Sequence, residues 1–294
     1  MLDLQHLKTE HKALIEKYIP AECAQMCDFS FGNLYSWSAA EHTEFCESDG
    51  FLFLRSTFNG VTSYAFPWGS GDVDNALDKI RQDALEREAD LSFYCVAPEQ
   101  LVQLQRFFGT SLVVKEQRDY FDYVYLRENL ATLKGRKFHS KKNHVNSFCK
   151  KYNYKYEELS QSNLQECLQF SHSWHMMGES TQRLEAERQV IDKAFRNFER
   201  LGLKGALIRV DGAIVAYALG EQMSRSDTFC VHFEKASPDF PQAYAAINKL
   251  FAENSLGDYK YINREDDAGV EGLRKAKLSY QPEYLVKKYY AKII

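Results

Sequence analysis

A strongly basic segment near the middle of the chain is the first feature that could carry out chemistry. Residues 134–155 contain eight lysines and arginines and no aspartate or glutamate, although the whole chain has a formal net charge of −4. Such a segment could bind the phosphates of RNA, of a cofactor or of a lipid headgroup. The alternative is a solvated linker helix. If the residues up to Ser140 open a helix, one face is apolar (Phe138, Val145, Phe148, Tyr152) and the other polar (Lys141, Lys142, Asn146, Lys150).

A second charged segment, residues 263–282, follows a predicted strand. It is too polar and too rich in glycine for a core, so we expect a loop at a strand end, where functional residues often lie. Adjacent Asp266 and Asp267 could recognise an ammonium group or act as a base. Arg274 and Lys277 could bind phosphate or polarise a carbonyl. Alternating charges are also typical of a solvated surface.

Glu234 is a third candidate because it ends a predicted strand just before a helix. A carboxylate at the mouth of an opened sheet is a suitable general base, and the alternative is a surface ion pair with Lys235. The chain contains no Gly-x-Ser-x-Gly, Gly-x-x-x-x-Gly-Lys or Gly-x-Gly-x-x-Gly motif. Hydrolase, phosphate-loop and Rossmann functions therefore lose their main sequence support.

Neither the cysteines nor the histidines indicate a metal site. The seven cysteines are an odd number, scattered along the chain, which is typical of reduced thiols in a reducing compartment. Cys23 and Cys27 lack a downstream pair at zinc-ligand spacing. His172 and His175 share a predicted helix, where such a pair is usually ordinary surface or core. We therefore expect no metal.

The composition is typical of a soluble globular protein. The 294 residues include 41 acidic and 37 basic ones, and 45% are hydrophobic. The chain can therefore bury a sizeable core, and it has no global charge bias toward nucleic acid or membrane, so we expect no DNA partner. No apolar run approaches the roughly 18 residues of a membrane span, and the N-terminus lacks a secretion signal. We expect a cytoplasmic protein.

Turn dipeptides and helical spacing predict the elements that position these residues. Asp49-Gly50, Asn59-Gly60 and Asp211-Gly212 each separate two strand-like runs, as in antiparallel hairpins. Helices are predicted to begin at Asp74, Pro98, Ser162, Leu184 and Asp239. Because this order recurs in both halves, we predict two α+β domains with mixed, mostly antiparallel sheets and flanking helices, residues 1–155 and 156–294.

Several of these segments together resemble one bacterial family. The matching residues are Arg118–Tyr125, Leu133–Phe148, Glu234-Lys235, and Asn263–Asp266 with Gly269 and Gly272–Lys277. Over nearly its whole length the chain is similar to proteins related to the C-terminal domain of phosphatidylglycerol lysyltransferase. The resemblance implies a tandem pair of GNAT-type acyltransferase folds, a layout shared with peptidoglycan aminoacyltransferases that take amino acids from charged tRNA.

The resemblance also implies roles for the charged residues. An amine or hydroxyl acceptor would attack an activated ester, with no required cofactor. Glu234 or Asp266 would take the acceptor's proton or hold an α-ammonium group. The substrate-binding residues would be Asp267, Arg274 and Lys277, and those contacting donor phosphates would be Arg136, Lys137, Lys141 and Lys142.

Acyl-CoA is the less favoured donor. Residues 239–246 lack the glycines with which GNAT enzymes cradle a pyrophosphate, and Asp239 at the expected helix start would repel an anion. The acceptor would be a small molecule, a peptide or a lipid headgroup, although the lipid-modifying enzymes carry a membrane-embedded region that is absent from this sequence. The alternatives are a non-catalytic protein that binds tRNA or another anionic ligand, and an acyl-CoA-dependent N-acetyltransferase.

Overall fold

The computed structural model of the chain describes residues 2–177 and 182–294. Two compact units are present. The first unit comprises Met1–Phe121 together with Val286–Ile294, and the second unit comprises Asp122–Leu285. This division differs from the predicted boundary near residue 155.

The elements before residue 122 are short strands and helices that alternate along the chain. They are β1 (Gln5–His6), α1 (Lys12–Tyr18), α2 (Phe31–Trp37), β2 (Glu44–Ser48), β3 (Phe51–Phe58), β4 (Val61–Tyr64), β5 (Trp68–Gly69), α3 (Val73–Glu86), β6 (Ser92–Val96), α4 (Pro98–Phe108) and β7 (Leu112–Glu116).

The remaining elements include the longest strands of the chain. They are β8 (Asp122–Leu126), α5 (Arg127–Thr132), α6 (His139–Lys151), β9 (Tyr154–Glu158), α7 (Leu164–Met176), α8 (Gln182–Arg196), α9 (Phe198–Leu201), β10 (Lys204–Val210), β11 (Ala213–Gln222), β12 (Thr228–Ala236), α10 (Ala243–Asn254), β13 (Tyr261–Asn263), α11 (Glu271–Leu278), β14 (Tyr284–Val286) and β15 (Tyr289–Ile293).

Each sheet is mixed and mostly antiparallel. The first runs in the order β1-β2-β3-β4-β6-β15-β7, with β5 beside β3, and its one described parallel pair is β4 with β6. The second runs β14-β8-β13-β12-β11-β10-β9, and its described parallel pair is β12 with β13. The predicted α+β class with mixed sheets and flanking helices is confirmed.

Strand pairing explains why the boundary is not near residue 155. Strand β8, which lies within the predicted first domain, pairs with β13 in the second sheet. Strand β15, which lies within the predicted second domain, pairs with β6 and β7 in the first sheet. The two units are therefore not consecutive halves of the chain, and the basic helix α6 belongs to the second unit.

The predicted hairpin turns are confirmed. In each, the two turn residues have positive φ, as a two-residue type I′ turn requires: 49° and 79° at Asp49-Gly50, 51° and 77° at Asn59-Gly60, and 49° and 87° at Asp211-Gly212. The strand residues that flank each turn are paired.

Helix starts were predicted less well. Asp72, not Asp74, caps α3, since its side chain accepts the amide of Asn75 at 3.1 Å. Helix α7 begins after Asn163, and α10 begins after Gln242, which has a φ of +68°. Asp239 therefore lies outside α10, and its predicted role as a helix cap is wrong.

The second unit has an extended apolar core on the face of its sheet that α10 covers. Phe138, Val145 and Phe148 bring α6 onto this core, and Ile247 and Phe251 do the same for α10. The predicted inward face of the basic segment is thus confirmed. Within the described residues, we find no helix with the length and hydropathy of a membrane span.

Candidate active site

The candidate site lies where strands β12 and β13 part. Their parallel pairing covers only Thr228–Cys230 of β12 and Tyr261–Asn263 of β13. Beyond that point β12 continues to Ala236, while the chain after β13 turns into a loop. Side chains from the end of β12, from α10 and from this loop therefore converge on one opening.

Glu234 and Arg264 form the centre of the opening. The Nη2 of Arg264 donates to the Oε1 of Glu234 at 2.9 Å, and their side chains are 14% and 12% exposed, respectively. Burial alone would lower the pKa of Arg264, but the adjacent Glu234 carboxylate outweighs it and raises that pKa. The predicted alternative, a pair between Glu234 and Lys235, is wrong, because Lys235 binds Glu187 at 2.8 Å.

Asn248 of α10 completes this centre. It lies on the inward face of the helix, is 5% exposed, and its Nδ2 donates to the Oε2 of Glu234 at 3.3 Å. Two atoms here, the Oδ1 of Asn248 and the Nη1 of Arg264, are buried and find no hydrogen-bond partner in residues 2–177 or 182–294. Buried polar atoms are usually satisfied in native proteins, so an unsatisfied acceptor and donor beside one carboxylate need an explanation.

Aromatic rings lie next to the two cationic side chains at the opening, Arg264 and Lys141. The guanidinium of Arg264 lies 5.0 Å from the ring centre of Tyr280 and 5.9 Å from that of Tyr125. The ammonium group of Lys141 lies 4.4 Å from the ring centre of Tyr280. Both cations therefore share one aromatic surface. Burial, and then the charge of Arg264, lower the pKa of Lys141.

This position of Lys141 corrects part of the prediction for the basic segment. Lys142, Asn146 and Lys150 are exposed as expected, but Lys141 is half-buried. Arg136 and Lys137, in a short 3-10 helix before α6, are also exposed. We call Arg136, Lys137 and Lys142 the basic surface. Among the described residues, neither these three nor Lys141 pairs with a carboxylate.

The loop after β13 is arranged differently. Asp267 is 0% exposed, and it accepts from Tyr123 at 2.5 Å, from the Nε and Nη2 of Arg274 at 2.9 and 2.7 Å, and from the amide of Gly269 at 3.0 Å. Burial alone would raise the pKa of Asp267, but the bonds from Arg274, Tyr123 and Gly269 lower it to about 2. Asp267 and Arg274, predicted to bind substrate, thus bind each other.

Asp266 and Lys277 also help to shape this loop. The Oδ1 of Asp266 accepts the amide of Ala268 at 2.8 Å. The ammonium group of Lys277 donates to the backbone oxygens of Arg264 and Asp266. Burial, and then the charge of Arg264, lower the pKa of Lys277. Lys277 therefore fixes the backbone that carries Arg264 into the opening.

Arg264, Asn248 and Tyr280 are the residues that sequence reasoning missed as members of the site. Arg264 directly follows β13 and lies in a segment already singled out by the resemblance. Asn248 is a lone amide on an otherwise apolar helix face, between Ile247 and Leu250. Each pattern could have indicated a functional side chain, but neither could show that both meet Glu234.

A family model described as phosphatidylglycerol lysyltransferase, C-terminal, matches residues 23–292. The chain belongs to this family. The predicted resemblance is thereby confirmed over nearly the whole length.

Solved structures support the same fold. A conserved protein of unknown function from Bacteroides thetaiotaomicron is 36% identical, with a TM-score of 0.94 and complete coverage of both chains. The C-terminal domain of a protein assigned as a lysylphosphatidylglycerol synthetase in Agrobacterium fabrum is 16% identical, with a TM-score of 0.68 over 97% of this chain and 90% of that one. FemX is 11% identical, with a TM-score of 0.62 over 100% and 98%. The predicted GNAT-like α+β fold is confirmed, but the predicted tandem arrangement of two such folds is not.

A curated relative aligns with only part of this chain. An uncharacterized protein of Mycoplasmoides gallisepticum is 26% identical over an alignment of 183 residues, which covers 59% of this chain and 56% of that protein. The aligned part thus spans little more than half of the relative.

Proposed function

We propose that this chain is an aminoacyltransferase that moves an aminoacyl group from charged tRNA to an amine or hydroxyl acceptor. Membership of the phosphatidylglycerol lysyltransferase C-terminal family supports transfer of this kind. The observation that carries the proposal is the pair of unsatisfied buried atoms beside Glu234, the Oδ1 of Asn248 and the Nη1 of Arg264.

These two atoms match the chemistry of an aminoacyl ester. Its α-ammonium group donates hydrogen bonds and carries a positive charge, so it fits the Oδ1 of Asn248 and the carboxylate of Glu234. Its ester carbonyl accepts hydrogen bonds, so it fits the Nη1 of Arg264. An acetyl group has no ammonium and would leave Asn248 unsatisfied, which favours an aminoacyl donor over acetyl-CoA.

In the reaction, the acceptor's nitrogen or oxygen bonds to the ester carbon and the bond to the ribose oxygen of the tRNA breaks. The acceptor loses one proton and the leaving ribose oxygen gains one. Arg264 stabilises the negative charge that develops on the carbonyl oxygen, a contribution worth about 3–4 kcal/mol per preorganised donor in other enzymes. Glu234 holds the ammonium group and orients the ester.

The basic surface and Lys141 supply the docking site for the tRNA. Arg136, Lys137 and Lys142 are exposed and lack carboxylate partners among the described residues, so their charges are available to phosphates. Lys141 connects this surface to the opening through Tyr280. We assign Asp266, Asp267, Arg274 and Lys277 to shaping the loop that carries Arg264, because the contacts described above hold that loop together and join it to α11 and Tyr123.

The direct test is transfer by the purified chain of labelled amino acids from bulk charged tRNA to either a total lipid extract or a mixture of small amines and peptides. We expect label in one acceptor class, and its loss in Glu234→Gln. Glu253→Gln, on the exposed side of the same α10 that carries Asn248, is the matched control and should keep activity. No transfer by the wild type, together with saturable acetyl-CoA binding, would support the acetyltransferase alternative instead.

A further inference from the structure

A second buried polar cluster lies on β12, next to the opening but not part of it. His232 is 3% exposed and lies between two carboxylates. Its Nδ1 is 2.8 Å from the Oε1 of Glu265, and its Nε2 is 3.1 Å from the Oε1 of Glu221. The thiol of Cys230, fully buried, lies 3.9 Å from the same Oε1 of Glu265.

We propose that Cys230, His232 and Glu265 bind a zinc ion. Their ligand atoms, the sulfur of Cys230, a ring nitrogen of His232 and a carboxylate oxygen of Glu265, all lie within 4.8 Å of one another, and the nitrogen next to Glu265 is Nδ1. Around a tetrahedral zinc such atoms are about 3.3 to 3.8 Å apart, so small side-chain rotations bring all three into coordination. Thiolate, imidazole and carboxylate are the ligands that zinc prefers, whereas magnesium and calcium take oxygen ligands.

Glu221 provides the outer contact that such a site needs. A histidine that binds a metal through one ring nitrogen usually donates the other N–H to a carboxylate, which fixes its tautomer and orientation. Glu221 is 1% exposed and faces the Nε2 of His232, leaving Nδ1 directed toward Cys230 and Glu265. Zinc binding displaces the proton of the Cys230 thiol, while the Nδ1 of the neutral imidazole offers its lone pair.

Two backbone irregularities aim these side chains at one another. In the pairing of β11 with β12, Leu219 is opposite Phe233 and Gly220 is opposite Val231, so His232 is an extra residue in a β-bulge. Bulges re-aim side chains and occur next to functional sites. Glu265 has a φ of +56°, which is uncommon for a residue with a side chain.

The proposed zinc would link β12 to the loop after β13 through Glu265, the residue next to Arg264. Glu265 is 25% exposed at its side chain, which provides an entry route, and the fourth coordination position is open to water or a further ligand. Zinc binding does not depend on the proposed transfer activity, so either proposal can fail alone.

The test is binding of Zn²⁺ to the full chain after dialysis against a chelator, with Co²⁺ as a spectroscopic probe. We expect one zinc per chain and a thiolate-to-cobalt absorption band. Cys230→Ser should lose that band and lower zinc affinity at least 100-fold, and Glu221→Gln should lower it about 10- to 100-fold. Cys167→Ser, at another fully buried thiol, is the matched control and should keep both.

The outcomes separate zinc from a purely hydrogen-bonded cluster. Absence of stoichiometric zinc binding by the wild type, or zinc affinity unchanged in Cys230→Ser, would overturn the proposal. If Cys230→Ser does not fold, Glu221→Gln carries the test, because it keeps the shape of the side chain. Zinc affinity unchanged in that variant would also overturn the proposal.

Discussion

Asp267, which is fully buried, and Glu234, which is largely buried, are carboxylates of the second unit that each bind an arginine, yet their surroundings differ. Both oxygens of Asp267 accept hydrogen bonds, from two nitrogens of Arg274, from Tyr123 and from a backbone amide. Beside Glu234, the Nη1 of Arg264 and the Oδ1 of Asn248 remain without partners among the described residues. A satisfied cluster stabilises a loop, whereas an unsatisfied one is ready to bind a ligand.

The largest expected effect is on stability at Asp267. Asp267→Ala removes the buried member of an ion pair and, with it, the carboxylate to which both Arg274 and Tyr123 donate. We expect the free energy of unfolding to fall by about 3–5 kcal/mol, measured by urea denaturation. The neighbouring Asp266→Asn is the matched control, because its side-chain oxygen still accepts the amide of Ala268. An equal loss in both variants would contradict the difference between these carboxylates.

The next effect is on activity at Glu234. Glu234→Gln keeps the hydrogen bond from Arg264 but removes the charge that holds the ammonium group, so we expect kcat/KM for aminoacyl transfer to fall about 100- to 1,000-fold. Urea denaturation of the same variant should show a smaller loss of stability than Asp267→Ala. Full activity of Glu234→Gln would remove this residue from the mechanism.

The pH dependence of stability should reflect Asp267. Its folded-state pKa of about 2 lies below the ordinary value of 3.8, so its contribution is fully present above about pH 4 and is lost as the pH falls toward 2. From this shift we expect a contribution of about 2 kcal/mol at neutral pH. The difference in unfolding free energy between wild type and Asp267→Asn, measured from pH 7 to pH 2, should shrink in that window. A constant difference would contradict the assignment.

The smallest effect is expected for Asn248→Leu, which should change activity without a comparable change in stability. The Oδ1 of Asn248 is already unsatisfied, and the bond that its Nδ2 donates to Glu234 is long, at 3.3 Å. Asn248→Leu should therefore change the melting temperature little, because losing that bond offsets removing the penalty at Oδ1. The same variant should lower kcat/KM about tenfold, which corresponds to about 1.4 kcal/mol. A fall in melting temperature with unchanged activity would give Asn248 a structural role.

The sequence predicted local features better than long-range ones. Each Asp-Gly or Asn-Gly turn was found because a two-residue turn has its own chemistry, and the inward face of α6 follows from helical spacing. The boundary near residue 155 was wrong because β8 and β15 each pair with strands far away in sequence. No local pattern shows such pairing.

The same limit applies to the candidate site. Glu234 was identified because a carboxylate at the end of a strand is visible in the sequence. Its partners Arg264 and Asn248 were missed, since they lie on other elements and only the separation of β12 and β13 brings them together. Asp267 was predicted to bind substrate because it lies in a charged segment. The sequence does not show that its carboxylate already accepts hydrogen bonds from Arg274 and Tyr123.

In the proposed function, the opening at Glu234 recognises the aminoacyl group, while the basic surface and Lys141 recognise the tRNA. The most direct measurement is the Kd of the chain for bulk charged tRNA and for the same tRNA after deacylation, across a salt series. We predict that the wild type prefers charged tRNA, that Glu234→Gln loses this preference but keeps affinity for deacylated tRNA, and that Lys141→Glu/Lys142→Glu loses both with a shallower salt dependence. Equal binding of both tRNA forms by the wild type, or a preference that survives Glu234→Gln, would contradict the claim.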